Sequence, residues 1–186
     1  MGAQEKIIHT FKEMFCEMEY EQITVKELAC QAGIHRKTFY LYYKSLDELL
    51  KEIQRKLSDD YTELTKQYDR MKDTEIITKI FFQYIKSQGE FGEVVWGRNK
   101  NFYIYNLISD DTRKELWPDE GGKSAKEVAY VNMVLYYIQF TQMEMYRTWL
   151  KDGKKITLEE LAEYIIELQC EGVDECLRHK NISCEK

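Results

Sequence analysis

The side chains best suited to do chemistry lie close together in GIHRKTFYLYYKS, residues 33–45. This stretch holds four arginine, lysine or histidine side chains and three tyrosines but no acid, in a chain whose formal net charge is −6. Arginine and lysine pair with guanine O6 and N7, and threonine can hydrogen-bond a base edge or contact a thymine methyl group. Tyrosine hydroxyl and lysine ammonium groups can hold phosphates. The segment therefore favours a nucleic-acid partner.

The pattern around this segment predicts two short helices joined by a glycine turn. Thr24 opens the first helix as a capping box with Glu27, and the helix stops at Gly33, which can adopt a left-handed turn at little cost. The second helix is expected over residues 35–42. These are the proportions of a helix-turn-helix, whose second helix presents its first residues to the major groove. We predict that the base-reading residues, whose side chains contact base edges, are His35, Arg36, Lys37 and Thr38. The predicted phosphate ligands are Tyr40, Tyr42 and Lys44.

Helical periodicity continues through most of the remaining chain, while strand signals are absent, so we predict an all-α fold. The other predicted helices lie near residues 4–19, 46–70, 74–88, 124–151 and 157–178. Shorter or broken helices are expected over 89–117, where three glycines interrupt a run of aromatic residues. The apolar stripe of each long helix is expected to face the core, and these stripes include Leu64 in the helix 46–70 and Ile76 in the helix 74–88.

Composition argues against several classes of protein. No apolar run approaches the roughly 20 residues that span a bilayer, and no secretory signal opens the chain, so we expect a cytoplasmic protein without a membrane partner. Five scattered cysteines do not indicate a disulfide framework. Phosphate-binding loops, nucleophile elbows and HExxH patterns are absent, so we expect neither an enzyme nor a cofactor. Cys176, His179 and Cys184 lack the paired Cys-x-x-Cys of a zinc site, and no metal is expected.

Residues 23–50, ITVKELACQAGIHRKTFYLYYKSLDELL, resemble the DNA-binding signature of the TetR family of bacterial transcriptional regulators. The shared features are the Thr-capped helix, Leu28-Ala29, Ala32-Gly33, Thr38-Phe39-Tyr40 with Tyr43, Lys44-Ser45 and Leu49-Leu50. The resemblance covers residues 4–56. It implies an N-terminal three-helix helix-turn-helix domain over 1–56, linked through the long helix 46–70 to a C-terminal helical effector-binding and dimerisation domain over 57–186.

The resemblance also implies roles for single residues. Thr24 and Lys26 are expected to face DNA together with Arg36, Lys37, Thr38, Tyr40, Tyr42 and Lys44, whereas Phe39 and Tyr43 are expected in the core of the small domain. One position departs from the family, which often has a lysine just after the Lys-Ser pair where this chain has Leu46. The N–H groups of the helix that begins there can still bind phosphate, or Lys44 can replace the missing lysine.

The region beyond residue 56 is rich in aromatic residues, which are typical either of a packed core or of an apolar ligand pocket. The resemblance implies that such a pocket binds a small effector. Its candidate lining residues are Trp96, Phe102, Tyr103, Tyr136, Tyr137 and Phe140. The last two long helices resemble the pair that forms the family's dimer interface. In the last helix the stripe Leu161, Tyr164, Ile165 and Leu168 could serve that interface or pack within the chain.

Together these features predict a one-component transcriptional regulator, by family default a repressor. It is expected to bind double-stranded operator DNA as a homodimer and to be released by a small apolar or aromatic effector. Two alternatives stay open. The first is a TetR-like regulator or activator that is controlled by a partner protein without a small ligand, with the aromatic residues as plain core. The second is a helical interaction module that has lost DNA binding.

Overall fold

The fold is helical throughout the part of the chain that a computed structural model describes, namely residues 2–70, 72–98 and 124–179, excepting the side chains of 98 and 173–179. The α-helices are α1 Ala3–Glu17, α2 Val25–Gln31, α3 Arg36–Tyr42, α4 Leu46–Thr65, α5 Thr74–Ser87, α6 Gly89–Gly92, α7 Ala125–Lys151 and α8 Leu158–His179. A 3-10 turn, Tyr20–Gln22, links α1 to α2, and a π-helix, Glu93–Arg98, continues α6. The predicted all-α class is confirmed for these residues.

The first three helices form a small unit around a shared apolar core. Helix α1 packs on both α2 and α3, and their inward side chains include Phe11, Leu28 and Phe39, all inaccessible to solvent. The turn between α2 and α3 places Gly33 at φ +64°, in the left-handed region that glycine adopts without strain. The predicted glycine turn is therefore present, and α2 ends at the turn as expected.

Helix α4 joins this unit to the rest of the chain. Its early residues Leu49 and Ile53 are buried in the same apolar core as α1, whereas Tyr61 packs against Phe81 of α5. The helix ends at Thr65 instead of continuing to residue 70. The following turn is held by side chain–backbone hydrogen bonds, in which Asp73 accepts from the backbone N–H of Asp69 at 2.9 Å. Such bonds compete with helix continuation.

The remaining helices pack around α5. Helix α8 lies against both α5 and α7, and α4 lies against α5. Two polar residues begin the long helices, because Ser124 Oγ accepts from the Glu127 N–H at 3.3 Å and Thr157 Oγ1 accepts from the Glu160 N–H at 3.1 Å. The glutamates reach back to the capping N–H groups, at 2.7 Å in each case. The predicted starts of both helices are confirmed.

Two residues of the predicted apolar stripes do not face the core. Leu64 and Ile76 are exposed, while the buried neighbours at the same level are Thr65 and Ile77. Most of each predicted stripe is buried, as at Leu57 and Tyr61 in α4 and at Ile77 and Phe81 in α5, so Leu64 and Ile76 lie at the edge of the apolar face. The inward assignment of Leu64 and Ile76 was wrong.

The two parts of the molecule also meet at α6. The ring of Phe91 lies 5.9 Å from that of Phe15 in α1, and the Lys12 ammonium lies 4.7 Å from the Phe91 ring centroid. The adjacent Gly92 is required by close packing, since a Cβ there would approach the Ile85 carbonyl oxygen to 2.7 Å. The core is therefore continuous from α1 through α6 to α8.

Candidate nucleic-acid interface

The start of α3 carries the predicted base-reading residues. His35 precedes the helix in an extended conformation, and its Nδ1 accepts from the Lys37 N–H at 3.2 Å. This bond satisfies one of the N–H groups that every helix leaves unpaired at its first turn. His35 thus caps the helix with one ring nitrogen, and only the other nitrogen remains to contact a base.

The charged residues after the cap point away from the core. Arg36 and Lys37 are exposed and Thr38 is half-buried. Arg36 Nη2 donates to Tyr40 Oη at 3.0 Å, and the Arg36 Cζ lies 5.4 Å from the Tyr40 ring centroid. Because the two residues are one helical turn apart, the tyrosine can hold the guanidinium along the outer face of α3.

The predicted phosphate ligands surround these residues. Tyr40 and Tyr42 are each 45% exposed, and Lys44 is exposed just beyond the end of α3. Thr24 and Lys26 lie exposed at the start of α2. Thr24 Oγ1 accepts from the Glu27 N–H at 3.2 Å, and its hydroxyl donates to the Glu27 carboxylate at 2.7 Å. The threonine therefore caps α2, although Glu27 bonds its hydroxyl and not its backbone N–H as a full capping box requires.

Two aromatic residues attach α3 to the core. Phe39 is inaccessible to solvent and Tyr43 nearly so, with their ring centroids 5.8 Å apart. The Tyr43 hydroxyl donates to Glu52 at 3.0 Å and accepts from Gln4 at 3.1 Å, which connects α3 to α4 and α1. Burial, together with the Glu52 carboxylate, raises the pKa of Tyr43 to about 12. The predicted core positions of Phe39 and Tyr43 match the structure.

One exposed residue of α3 escaped the sequence-based prediction. Leu41 lies between Tyr40 and Tyr42 and is 81% exposed, more than any other large apolar side chain of the described residues. An apolar group on this face could contact a thymine methyl group or a sugar. The signal in the sequence was its position between two predicted phosphate ligands.

The first turn of α4 differs from an open anion site. Ser45 Oγ accepts from the Glu48 N–H at 3.2 Å, and the Glu48 carboxylate accepts from the Lys44 N–H. Asp47 accepts a hydrogen bond from Tyr20, and Leu46 packs partly buried against the core. Two carboxylates thus stand where the helix N-terminus would attract a phosphate. A phosphate contact near α4 is better served by the exposed Lys44 than by the helix terminus.

The aromatic residues predicted to line a ligand pocket are in different environments. Trp96 is buried, with its ring 5.8 Å from that of Tyr84. Tyr136, Tyr137 and Phe140 are half-exposed on α7, and the rings of Tyr136 and Phe140 stack 5.6 Å apart. Phe102 and Tyr103 lie outside the described residues. The described residues alone do not assemble these side chains into one pocket, which stays a prediction.

Metal sites and membrane spans have recognisable features, and neither is found among the described residues. No group of three His, Cys, Asp or Glu side chains there is arranged to hold a metal ion. The Cys176, His179 and Cys184 side chains are not among those described. None of the described helices is long and apolar enough to cross a membrane.

The amino-acid sequence of this chain is similar to a family model and to a known transcriptional activator. Residues 7–53 match the family model of bacterial regulatory proteins, tetR family. The HTH-type dhaKLM operon transcriptional activator DhaS of Lactococcus lactis subsp. lactis (strain IL1403) is 28% identical over 106 residues, which cover 57% of this chain. That match spans only 55% of the length of DhaS.

Solved structures resemble the chain over most of its length. The fatty acid degradation regulator FadR from Bacillus halodurans has a TM-score of 0.64 at 20% identity, covering 91% of this chain and 95% of that one. A TetR transcriptional regulator from Streptococcus agalactiae 2603V has a TM-score of 0.64 at 18% identity, covering 90% and 93%. At these identities the likeness concerns the fold, which includes an N-terminal helix-turn-helix and a C-terminal helical domain.

Proposed function

We propose that this chain, which is a transcriptional regulator of the TetR family, binds operator DNA as a homodimer through α3 and is released by a small effector bound in its C-terminal domain. The observation that carries the proposal is the division of α3 into two faces. Phe39 and Tyr43 hold the helix on the core, while Arg36, Lys37 and Tyr40 are presented to solvent in a segment, residues 33–45, that contains no acidic residue. This is the arrangement that a major-groove reader requires.

The proposed roles follow from position along α3. His35, Arg36, Lys37 and Thr38 read base edges, and Arg36 approaches them from the position in which Tyr40 holds it. The phosphate ligands are Thr24, Lys26, Tyr40, Tyr42 and Lys44. Because each phosphate contact releases a counterion, affinity should fall steeply with salt even though the whole chain is acidic.

Dimerisation is supported by apolar side chains that α7 and α8 leave exposed. On α7 these are Met133, Tyr136, Tyr137 and Phe140, at the i, i+3, i+4, i+7 spacing of one helix face, and on α8 they are Tyr164 and Leu168. Leu161 and Ile165 of α8 are buried within the chain. The predicted stripe of α8 thus has two residues in the core and two on a face that a second copy can cover. A dimer formed in this way would place two α3 helices on one palindromic site.

A second candidate function is activation of transcription. The relative DhaS is a transcriptional activator by name, and the shared residues do not set the sign of regulation. An activator with the same α3 surface would bind DNA in the same way. The two candidates differ in whether the target promoter is more or less active when the gene is deleted.

The DNA-binding proposal is tested by fluorescence anisotropy with the DNA upstream of the chain's own gene. Wild-type protein is expected to bind with a strong salt dependence. Arg36→Ala should weaken specific binding by about 1–3 kcal/mol, or roughly 5- to 150-fold, and relax sequence preference. Arg55→Ala is the matched control, because Arg55 is an exposed arginine on α4 outside the predicted set. Salt-insensitive binding by wild type, or equal affinity of the Arg36 and Arg55 variants, would refute the proposal.

A further inference from the structure

A buried cation for which the described residues supply no anion lies in the turn after α4, outside the proposed DNA-facing surface. Arg70, in the turn between α4 and α5, is 9% exposed. Its Nη2 donates to Thr65 Oγ1 at 2.9 Å, and its Cζ lies 5.6 Å from the centroid of the Tyr61 ring. Its Nε is buried and has no hydrogen-bond acceptor. Within the described residues, no carboxylate forms an ion pair with this guanidinium.

Such an arrangement is unfavourable in the absence of a partner. Removing a guanidinium from water carries a large desolvation cost, which an isolated buried charge does not recover. The Tyr61 ring and the negative end of the α4 dipole offset part of that cost. Neither of them supplies an acceptor for Nε. The planar guanidinium is therefore only partly satisfied, and an oxyanion is the group that matches its fork of N–H donors.

Besides Arg70, the buried polar residues beyond residue 59 of the described chain are Thr65, Thr74, Thr78, Gln142 and Gln169. Thr74 Oγ1 donates to the Arg70 carbonyl at 3.4 Å, and Thr78, one turn further along α5, accepts from Gln142 of α7. Gln142 also donates to Gln169 of α8 at 3.2 Å. Buried polar groups thus lie at both ends of the first turn of α5, with Arg70 and Thr65 before it and the Thr78, Gln142 and Gln169 cluster after it. A few polar groups in apolar surroundings are typical of small-ligand sites.

Resting on the effector control proposed above, we propose that Arg70 binds the oxyanion of a small-molecule effector. The effector carries a carboxylate or a phosphate monoester, which accepts from Nε and from a second guanidinium N–H. The Tyr61 ring, whose centroid lies 5.6 Å from Arg70 Cζ, covers one face of the guanidinium at this site. Anion binding supplies the missing acceptor, so the effector is recognised by its charged end as well as by its apolar body.

The experiment measures thermal shift and calorimetric binding of the full chain with matched pairs of compounds. The carboxylate arm compares acetate, benzoate and octanoate with benzamide. The phosphate arm compares inorganic phosphate, phenyl phosphate and glycerol phosphate with phenol and glycerol. A ligand that binds only the folded protein raises Tm, so at least one oxyanion should raise the Tm of wild type while its neutral counterpart does not. The arm that responds identifies the oxyanion.

Variants separate recognition from a structural role. Arg70→Met should weaken binding of the responding oxyanion by about tenfold or more, the loss of a charged hydrogen-bonded contact. Without ligand it should be at least as stable as wild type, because it removes an unpaired charge while the Thr65 hydroxyl keeps its 2.9 Å bond to the Tyr61 carbonyl. Arg70→Lys should bind with intermediate affinity, since it keeps the charge and loses the fork. Arg55→Met, which removes an exposed arginine, should bind as wild type does.

Three outcomes would overturn the inference. In the first, wild type prefers no oxyanion over its neutral counterpart. In the second, the Arg70→Met and Arg55→Met variants bind the oxyanion with equal affinity. In the third, ligand-free Arg70→Met is clearly less stable than wild type. DNA binding measured on the same samples distinguishes this failure from failure of the proposed function. If wild type binds DNA and a neutral compound releases it, effector control stands and the role of Arg70 is refuted.

Discussion

The two parts of the chain distribute polar and apolar side chains in opposite ways. The helix-turn-helix unit buries Phe11, Leu28 and Phe39 and presents Arg36 and Lys37 to solvent. The helical region beyond it buries Gln142, Gln169 and Arg70, and among its described residues six large apolar side chains of α7 and α8 are exposed. The first arrangement suits the DNA contact proposed for α3. The second leaves apolar side chains uncovered among the described residues, which suits the second copy and the ligand proposed above.

The largest expected effect tests the claim that the first unit depends on its apolar core. Phe39→Ala should lower the free energy of unfolding by about 3–5 kcal/mol, because it removes a fully buried ring and leaves a cavity. Urea unfolding followed by circular dichroism measures the change, and DNA binding should be lost with it. Leu41→Ala, on the opposite face of the same helix, is the control and should alter stability by less than about 0.5 kcal/mol.

The next effect concerns the exposed apolar face of α7. Phe140→Glu should weaken self-association by about 2 kcal/mol or more, since it replaces an aromatic contact by a charge in an interface. Sedimentation velocity at micromolar concentration should show more monomer, and specific DNA affinity should fall in parallel. Leu64→Glu provides the comparison, because Leu64 and Phe140 are both 48% exposed but Leu64 lies on α4. An unchanged sedimentation coefficient for Phe140→Glu would place the dimer interface elsewhere.

A smaller effect probes the buried polar residues of the second region. Gln142→Ala should destabilise the chain by about 1–3 kcal/mol, because Thr78 and Gln169 each lose a hydrogen-bond donor. The denaturation midpoint in urea is the measurement. Gln142→Leu combined with Thr78→Val should recover part of the loss, because it removes both ends of one bond. If the double variant is less stable than Gln142→Ala, shape and not hydrogen bonding governs this part of the core.

The smallest effect is the dependence of stability on alkaline pH in the first unit. The pKa of Tyr43 is raised to about 12, against about 10 in an unfolded chain. Because the neutral form is favoured in the folded state, its contribution is complete below pH 10 and is lost as pH rises toward 12. The Tm of wild type should fall over that window, and Tyr43→Phe should have a shallower fall. Burial also raises the pKa values of Tyr20, Tyr61, Tyr84 and Tyr146, and these tyrosines contribute to the part of the fall that persists in the variant.

Prediction from sequence succeeded where structure is determined locally. The cap at Thr24 and the turn at Gly33 each depend on residues within a few positions, and both are present. The role of His35 was less accessible, because whether an imidazole caps a helix or reads a base depends on its rotamer. The exposure of Leu41 required knowing which face of α3 meets the core.

The chain's amino-acid order alone determined the helical class, the helix-turn-helix and its basic face, because helix periodicity, caps and glycine turns act over short distances. Only the tertiary structure decided which residue at the edge of an apolar stripe is exposed, as at Leu64, and which polar residues are buried together, as at Thr78, Gln142 and Gln169. Those residues are far apart along the chain, and helices of the same periodicity can be rotated or shifted without breaking any local rule. Packing between helices selects one arrangement, and with it the surface and the buried cation that remain for a partner.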